Sequence, residues 1–440
     1  MRVAIITLGC KVNQSESASI EGELLNNNHE IVKYTDNPDI CIVNTCTVTG
    51  KSDYRSRQLI RRAVKSGAKV IATGCYAQTR SEELSKINGI NLILGNSEKG
   101  TLLNYLGTLS AENSKSQNMT CHDDSKPATF INSPVNFITP GAYYSNRARA
   151  FLKIQDGCNF TCSYCIVPMA RGESRSLNEE EVLKAVKIFH KQGYKEIVIT
   201  GIHIGLYGLD MKPKSSLTEI LKKITKNYPD IRFRLSSIEP GEFRDEIFSM
   251  IKENSLCSHL HIPLQSGSDK ILKAMNRGYS TVFFQCLINR IASTCHGISI
   301  GTDVIAGFPG ESETDFRETA LFLEKLPLSY IHVFPYSRRP DTKAANMKGH
   351  LENLTIKKRV NILLEIAKRK KNDYMKGHLG KYLNVIVENK TVTHGFYRAV
   401  SDNYIKTFIR SNHQILGKEV RVKAISLSKG DLLSIPSEEH

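Results

Sequence analysis

The feature that most constrains this chain is a pattern that occurs twice: apolar, β-rich runs separated by helix-like stretches, with a polar segment between the two series. The first series has strand signals at Val3–Leu8, Ile40–Asn44 and Val70–Thr73, and helix signals near Ser15–Asn27, Tyr54–Ser66 and Glu82–Ile87. Such alternation folds as a parallel α/β sheet. From about Ser110 to Arg149 the pattern dissolves into Ser, Asn, Pro, Asp and Thr, as in a linker. The second series has strand signals at Phe151–Gln155, Glu196–Thr200, Ile231–Leu235, His259–Ile262, Ile298–Ile305 and Tyr330–Phe334. Helices at Glu179–Lys191, Leu217–Thr225 and Thr314–Lys325 lie among them. Six βα units predict a partial (β/α) barrel, open where an eight-fold one closes. A helix at about Thr355–Met375 follows, in a stretch with nine Lys/Arg against three acids over Leu351–Lys381. The tail from Gly377 has short strands (Leu383–Glu388, Tyr404–Ile409, Glu419–Ala424) and predicts a small antiparallel β-barrel. The expected division is therefore 1–109, a linker 110–143, 144–376 and 377–440, which suits a chain of 440 residues.

Lys and Arg outnumber Asp and Glu 60 to 44, a net charge of +16. That balance suits a polyanionic partner such as nucleic acid, or a merely lysine-rich solvated surface. No apolar run approaches the length of a bilayer crossing, and the opening residues read as a strand, not a cleavable leader. A cytoplasmic protein with no membrane partner is expected. Eleven cysteines, an odd number, argue against a disulfide framework and for metal, cluster or catalytic roles.

Cys158-Asn159-Phe160-Thr161-Cys162-Ser163-Tyr164-Cys165 aims three thiolates at one compact centre. An iron–sulfur cube with three cysteine ligands keeps one iron open for a small chelating molecule. Structural zinc with three cysteines and a histidine, His190 or His203, is the alternative. The loop follows the first strand of the second series, at the carboxyl end of a barrel, where active sites gather. Tyr164 packs on the centre or is an ordinary core aromatic.

Cys10, Cys46 and Cys75 are far apart in sequence, yet each lies one or two residues beyond the end of a strand signal. A parallel sheet brings such loops to one edge, where α/β sheets bind ligands. Three thiolates there make a second incomplete cage. Three small buried residues are the other reading.

Several stretches resemble the radical S-adenosylmethionine (SAM) methylthiotransferases. They are Lys153–Cys158, Ala170-Arg171-Gly172, Arg175-Ser176, Thr200-Gly201-Ile202-His203, His261–Ser268 (with Gln265 and Ser266), Gly301–Glu311 (with Asp303) and Pro335-Tyr336-Ser337. The first-domain segments Leu8–Gln14, Asn44–Val48 and Gly74-Cys75 resemble that family's amino-terminal domain, and the tail resembles its RNA-binding TRAM barrel. The resemblance implies two 4Fe–4S clusters. Cys158, Cys162 and Cys165 would hold the one that binds S-adenosylmethionine and cleaves it to a 5′-deoxyadenosyl radical, because an aromatic C–H bond resists side-chain acid–base chemistry. Cys10, Cys46 and Cys75 would hold an auxiliary cluster concerned with the inserted sulfur. It further implies that Arg171, Arg175 and Asp303 act at the reacting centre and that Tyr164, Gly201, His203, Gln265, Ser266, Ser337 and Arg339 contact the cofactor. Polar residues at strand ends also bond neighbouring loops, which is the structural alternative for these ten.

Lys11-Val12-Asn13-Gln14 resembles the bacterial branch acting on N6-threonylcarbamoyladenosine beside the tRNA anticodon. The implied partners are the anticodon stem-loop, S-adenosylmethionine and an electron donor such as flavodoxin or ferredoxin. The tail carries nine Lys/Arg against six acids over Gly377–His440, with Tyr382, Phe396, Tyr397, Tyr404 and Phe408 interleaved. These suit phosphate contacts and base stacking, or simply a barrel's own core. Cys41 is expected inside a strand, Cys121 beside His122 and Asp123 in the linker, and Cys257, Cys286 and Cys295 share no spacing.

Overall fold

A computed structural model of the chain describes residues 1–110, 127–134, 137, 148–391, 395–411, 413–428 and 430–437. Cys121 and its neighbours lie outside the described residues. The first series forms a sheet from Arg2–Thr7 (β1), Glu30–Ile31 (β2), Ile40–Thr45 (β3), Lys69–Gly74 (β4), Ile90–Leu94 (β5) and Ala128–Phe130 (β6). Its order is β2-β1-β3-β4-β5-β6 and every pairing is parallel. Alternate residues of β3 go to opposite faces: Cys41 and Val43 pack with Ile60 and Tyr76, Ile40 and Ile42 with Ile20 and Leu24. Both faces are covered, so the whole strand is buried, and a continuous apolar run is the result. β6 comes from the stretch read as a linker and adds an edge strand beside β5.

The second series contributes Ala150–Lys153 (β7), a short antiparallel pair of Gln155–Asp156 (β8) and Arg175–Ser176 (β9), then Glu196–Thr200 (β10), Arg232–Leu235 (β11), His259–His261 (β12), Ser299–Ala306 (β13) and Tyr330–Pro335 (β14). The wall strands are parallel and form two three-stranded sheets, β7-β10-β11 and β12-β13-β14. Isolated parallel bridges, Phe233 to Leu256 and Ser237 to His261, join them. Among the described residues β14 pairs with β13 alone, so the barrel stays open between β14 and β7. Helix Asn353–Lys376 packs Ile356, Leu363 and Ile366 inward and leaves Lys357, Lys358 and Lys368 exposed.

The tail is a closed barrel of Tyr382–Lys390 (β15), Phe396–Ser401 (β16), Lys406–Arg410 (β17), Glu419–Ser428 (β18) and Asp431–Pro436 (β19). It has two strands more than the sequence reading, and one pairing, β17 with β19, is parallel where an antiparallel barrel was expected. Tyr404, read as the start of a strand, stands instead in the turn before β17 with φ +63°. Of the tail aromatics, Tyr397 is in the barrel's own core, whereas Tyr382 is exposed, with the Arg421 guanidinium 4.8 Å and the Lys423 ammonium 5.9 Å from its ring centroid.

Arg234 on β11 anchors this tail from inside the larger barrel. Its guanidinium donates to both carboxylate oxygens of Glu196 (2.7 and 2.9 Å) and to the carbonyls of Ser401 (2.9 Å) and Asp402 (2.8 Å). Both side chains are fully buried. Burial alone would raise the Glu196 carboxyl, but Arg234 and Arg149 outweigh it and bring it down to about 2. Arg234→Ala leaves Glu196 without its bidentate partner and two carbonyls without a donor. The expected cost is about 3–5 kcal/mol in denaturant unfolding; a loss under about 1 kcal/mol would remove Arg234 as the anchor.

Candidate active site

The Cys158 loop hangs beyond the carboxyl end of β7, closed at its base by the β8–β9 pair and by Cys158 N donating to Gly172 O at 3.0 Å. Cys158 Sγ lies 3.4 Å from His203 Nδ1, and Cys162 Sγ accepts from Arg277 Nη1 at 3.2 Å. Burial pushes the Cys165 thiol up to about 12. A metal that displaces its proton removes that penalty. The His203 ring is held on both nitrogens, by Cys158 and by Glu242. Burial works against its charge, but the hydrogen bonds to Cys158 and Glu242 prevail and push it up to about 9. His190 pairs with Asp230 on the outer surface and is no ligand to this loop.

The other three cysteines converge at the carboxyl edge of the first sheet. Cys10 is exposed and caps helix Lys11–Asn26; Cys46 and Cys75 are buried. Burial first, then the charges of Cys75 and Cys10, push Cys46 up to about 12, so the three are near enough to act on one another. Two glycines make the approach possible. Gly9 has φ +114°, and a Cβ there would sit 2.9 Å from Cys46 Cβ. Gly74 has φ +100°, and a Cβ there would sit 2.4 Å from Thr45 O. Only glycine adopts such angles freely and leaves that room. Asn13 then straps the loops: its Nδ2 donates to Leu8 O (2.7 Å) and Thr45 O (2.9 Å).

A buried ion network joins the two cysteine sites. Arg171 donates to Glu16 (2.8 Å), Asp156 (2.9 Å) and Asn13 Oδ1 (2.6 Å). Glu16 also accepts from Lys99 (2.7 Å) and Lys153 (3.1 Å), and Lys153 reaches Asp156 at 3.0 Å. Asp156 in turn accepts from Gly157 N, just before Cys158, and Asn13 stands three residues after Cys10. Burial would raise Asp156, but Arg171 and Lys153 bring it down to about 2, and Glu16 is likewise held well below the carboxylate range against its burial.

A tetrahedral zinc with Zn–S bonds of about 2.3 Å sets its sulfurs about 3.8 Å apart. Among the described residues, the set of three possible ligands whose atoms all lie within 4.8 Å of one another is His261, Asp303 and His332. Neither cysteine trio forms such a set among the described residues.

The remaining predicted residues divide by surroundings. Gly201 lets the end of β10 approach Gln155, whose carbonyl oxygen would lie 2.9 Å from an added Cβ. Gln155 Oε1 accepts from His203 N at 2.6 Å. Asp303 accepts from His261 (2.9 Å) and His332 (3.2 Å) on the neighbouring strands. Gln265 sits at φ +70°, its N donating to Asp303 O at 2.8 Å. Arg175 donates to Arg171 O at 2.7 Å. Tyr164 packs with Ile271, Met275 and Phe308, and Ser266 Oγ lies 3.3 Å from Thr319 Oγ1. Ser337 accepts from Gly50 N (2.9 Å) and Arg339 pairs with Asp53 (2.5 Å), so both hold the first domain to the barrel. Sequence reasoning missed Asn13, Glu16, Asp156, Arg277 and Glu242. Asn13 and Asp156 stood inside quoted motifs; the other three carried no local signal.

Glu16→Gln leaves the buried Lys99 without a carboxylate and Lys153 and Arg171 with Asp156 alone, with an expected loss of about 3–5 kcal/mol in unfolding free energy at pH 7. Because Asp156 and Glu16 are depressed in the fold, their stabilisation is full above the ordinary carboxylate pKa of about 4 and is lost as pH falls from there towards about 2. Unfolding measured between pH 7 and pH 3 should show a shallower acid limb in the variant; equal limbs would contradict the assignment.

Residues 152–323 match the radical SAM superfamily, and residues 2–95 match an uncharacterized protein family, UPF0004. The chain is 38% identical to the threonylcarbamoyladenosine tRNA methylthiotransferase MtaB of Aquifex aeolicus, over 96% of this chain and 100% of that one. It is 35% identical to the MtaB of Bacillus subtilis (96% and 93% covered). It is 33% identical to the tRNA-2-methylthio-N(6)-dimethylallyladenosine synthase of Fusobacterium nucleatum (96% and 96%). Among solved structures, the radical S-adenosylmethionine methyltransferase TsrM of Kitasatospora setae superposes with a TM-score of 0.54 at 15% identity, covering 78% of this chain and 76% of that one, a likeness of fold alone.

Proposed function

The chain belongs to the radical S-adenosylmethionine tRNA methylthiotransferases, and from that premise we propose that it methylthiolates carbon 2 of N6-threonylcarbamoyladenosine beside the anticodon, using a second iron–sulfur cluster in sulfur insertion. The enzyme is a transferase whose family uses a 4Fe–4S cluster and S-adenosylmethionine. Cys158, Cys162 and Cys165 fit that cluster: three thiols stand in one loop, Cys158 beside His203 and Cys162 beside Arg277. When bound there, the cluster with S-adenosylmethionine supplies a radical able to abstract hydrogen from an unactivated C–H bond.

The chain's own residues hold and tune that site. His203 and Gln155 fix Cys158 from the β10 side, and Arg277 donates to Cys162 Sγ, the kind of hydrogen bond that adjusts a cluster's potential. Asp303, flanked by His261 and His332, presents a polar wall on β12–β14 towards the barrel interior. Cys10, Cys46 and Cys75 are proposed to hold the auxiliary cluster, with Cys10 on the open side. The exposed Tyr382, Arg421 and Lys423 of the tail are proposed to grip RNA by stacking and phosphate contact. An electron donor such as flavodoxin or ferredoxin completes the proposal. No described helix is long and apolar enough to cross a membrane.

Full-length identity to relatives named for the threonylcarbamoyl substrate is what supports that reading. Nucleosides of tRNA from cells with and without this gene test it. Loss of the methylthio group from N6-threonylcarbamoyladenosine on deletion is expected; its persistence, or loss from an isopentenylated adenosine instead, would overturn the substrate. In anaerobically purified protein, about eight irons per chain are expected. Replacing Cys10, Cys46 and Cys75 together by Ala should halve that count while 5′-deoxyadenosine formation survives. An unchanged count would remove the auxiliary cluster.

A further inference from the structure

Where first domain, barrel and tail meet, a cation stands without a counter-ion. Lys11 directly follows Cys10, and its half-buried ammonium lies 6.0 Å from the ring centroid of Tyr404 in the tail. Among the described residues it makes no hydrogen bond or ion pair. The nearby charges do not supply one. Arg149 takes Glu388 (2.9 Å) and Glu196 (3.1 Å), and Arg234 takes Glu196 again (2.7 Å). Three cations thus share two carboxylates, both already engaged by arginine. Drawing a charge away from water without pairing it is costly, so such a surplus calls for an anion.

A second group on the same wall is also unfilled. The His259 ring, 2% exposed, lies 4.3 Å from the Tyr404 ring. Its Nε2 is 2.8 Å from Tyr330 Oη, while Nδ1 is buried with no partner. Buried polar atoms are rarely left so. A single unpaired positive charge and one open imidazole nitrogen describe a ligand bearing a carboxylate and a hydroxyl or amide.

We propose that this corner is a substrate subsite, in which Lys11 pairs with the carboxylate of an amino-acid group carried by the target adenine and His259 Nδ1 bonds a hydroxyl or amide of that same group. The inference rests on the threonylcarbamoyladenosine reading above: a threonylcarbamoyl group has one carboxylate, one hydroxyl and amide hydrogens, whereas an isopentenyl group has none of these. A site built around such bonds rejects an analogue that cannot make them, because its own polar groups are then left unpaired.

The test is steady-state kinetics of the cluster-loaded enzyme on anticodon stem-loop RNAs carrying either N6-threonylcarbamoyladenosine or its neutral carboxamide. Wild type should favour the acid by about tenfold or more in KM with little change in kcat. Lys11→Met should lose that preference by weakening the acid alone, and Lys11→Arg should restore most of it. Iron content and 5′-deoxyadenosine formation without RNA serve as the check that Cys10 next door is undisturbed. Equal KM values for acid and amide in wild type would overturn the subsite without any variant, as would a Lys11→Met enzyme that keeps the preference. Wild type that modifies neither RNA but accepts an isopentenylated one would instead overturn the substrate reading, and the subsite with it.

Discussion

The arrangement depends on one buried ion network. Glu16, on the first helix, and Asp156, at the mouth of the Cys158 loop, share Arg171 and Lys153, while Lys99 completes the set from the first domain. Removing several charges from water is expensive unless all are matched, and here each carboxylate has at least two cationic partners. The network therefore does more than glue two domains. Glu16 lies six residues after Cys10 and Asp156 two before Cys158, so the same bonds set the position of one cysteine site against the other. Asn13 finishes the link, donating to the loop carbonyls on one side and accepting from Arg171 on the other.

Much of the fold was legible in the chain. β10 and helix Glu179–Lys191 match the sequence reading residue for residue, because the buried strand centres on the apolar run Ile197-Val198-Ile199 and the helix has one apolar face. The first helix was read four residues short. It begins at Lys11, and its buried residues include Asn13, Ser15, Glu16, Ser17 and Ser19. A helix wedged between two domains and held by polar bonds has no apolar stripe to betray it. The tail's strands at Phe396–Ser401 and Asp431–Pro436 went unread because they are short and half polar.

The cysteine sites were legible to different degrees, for a physical reason. Cys158, Cys162 and Cys165 lie in one loop, so spacing alone announces a shared centre. Cys10, Cys46 and Cys75 meet only through sheet topology, and the placement of each after a strand was the clue. Their supports could not be read at all: Glu16 finds Arg171 across 155 residues, and Asp53 finds Arg339 across 286. Ser337 and Arg339, which motif resemblance put beside the cofactor, stand against Gly50 and Asp53 at the domain boundary. A motif marks a strand end; it does not say which neighbour that end faces.

The Arg234 anchor has one more consequence. Since the guanidinium that lines the larger barrel also clasps the tail's Ser401 and Asp402 carbonyls, the tail has no hinge of its own at that point; swinging it away would leave those two carbonyls without their donor and open a buried, charged guanidinium on the barrel side. Tail and barrel behave as a fixed-length caliper. Its two jaws are the exposed Tyr382 and Arg421 on the tail and the cysteine-bearing strand ends of the barrel and first sheet, and the span between them is set by the fold itself.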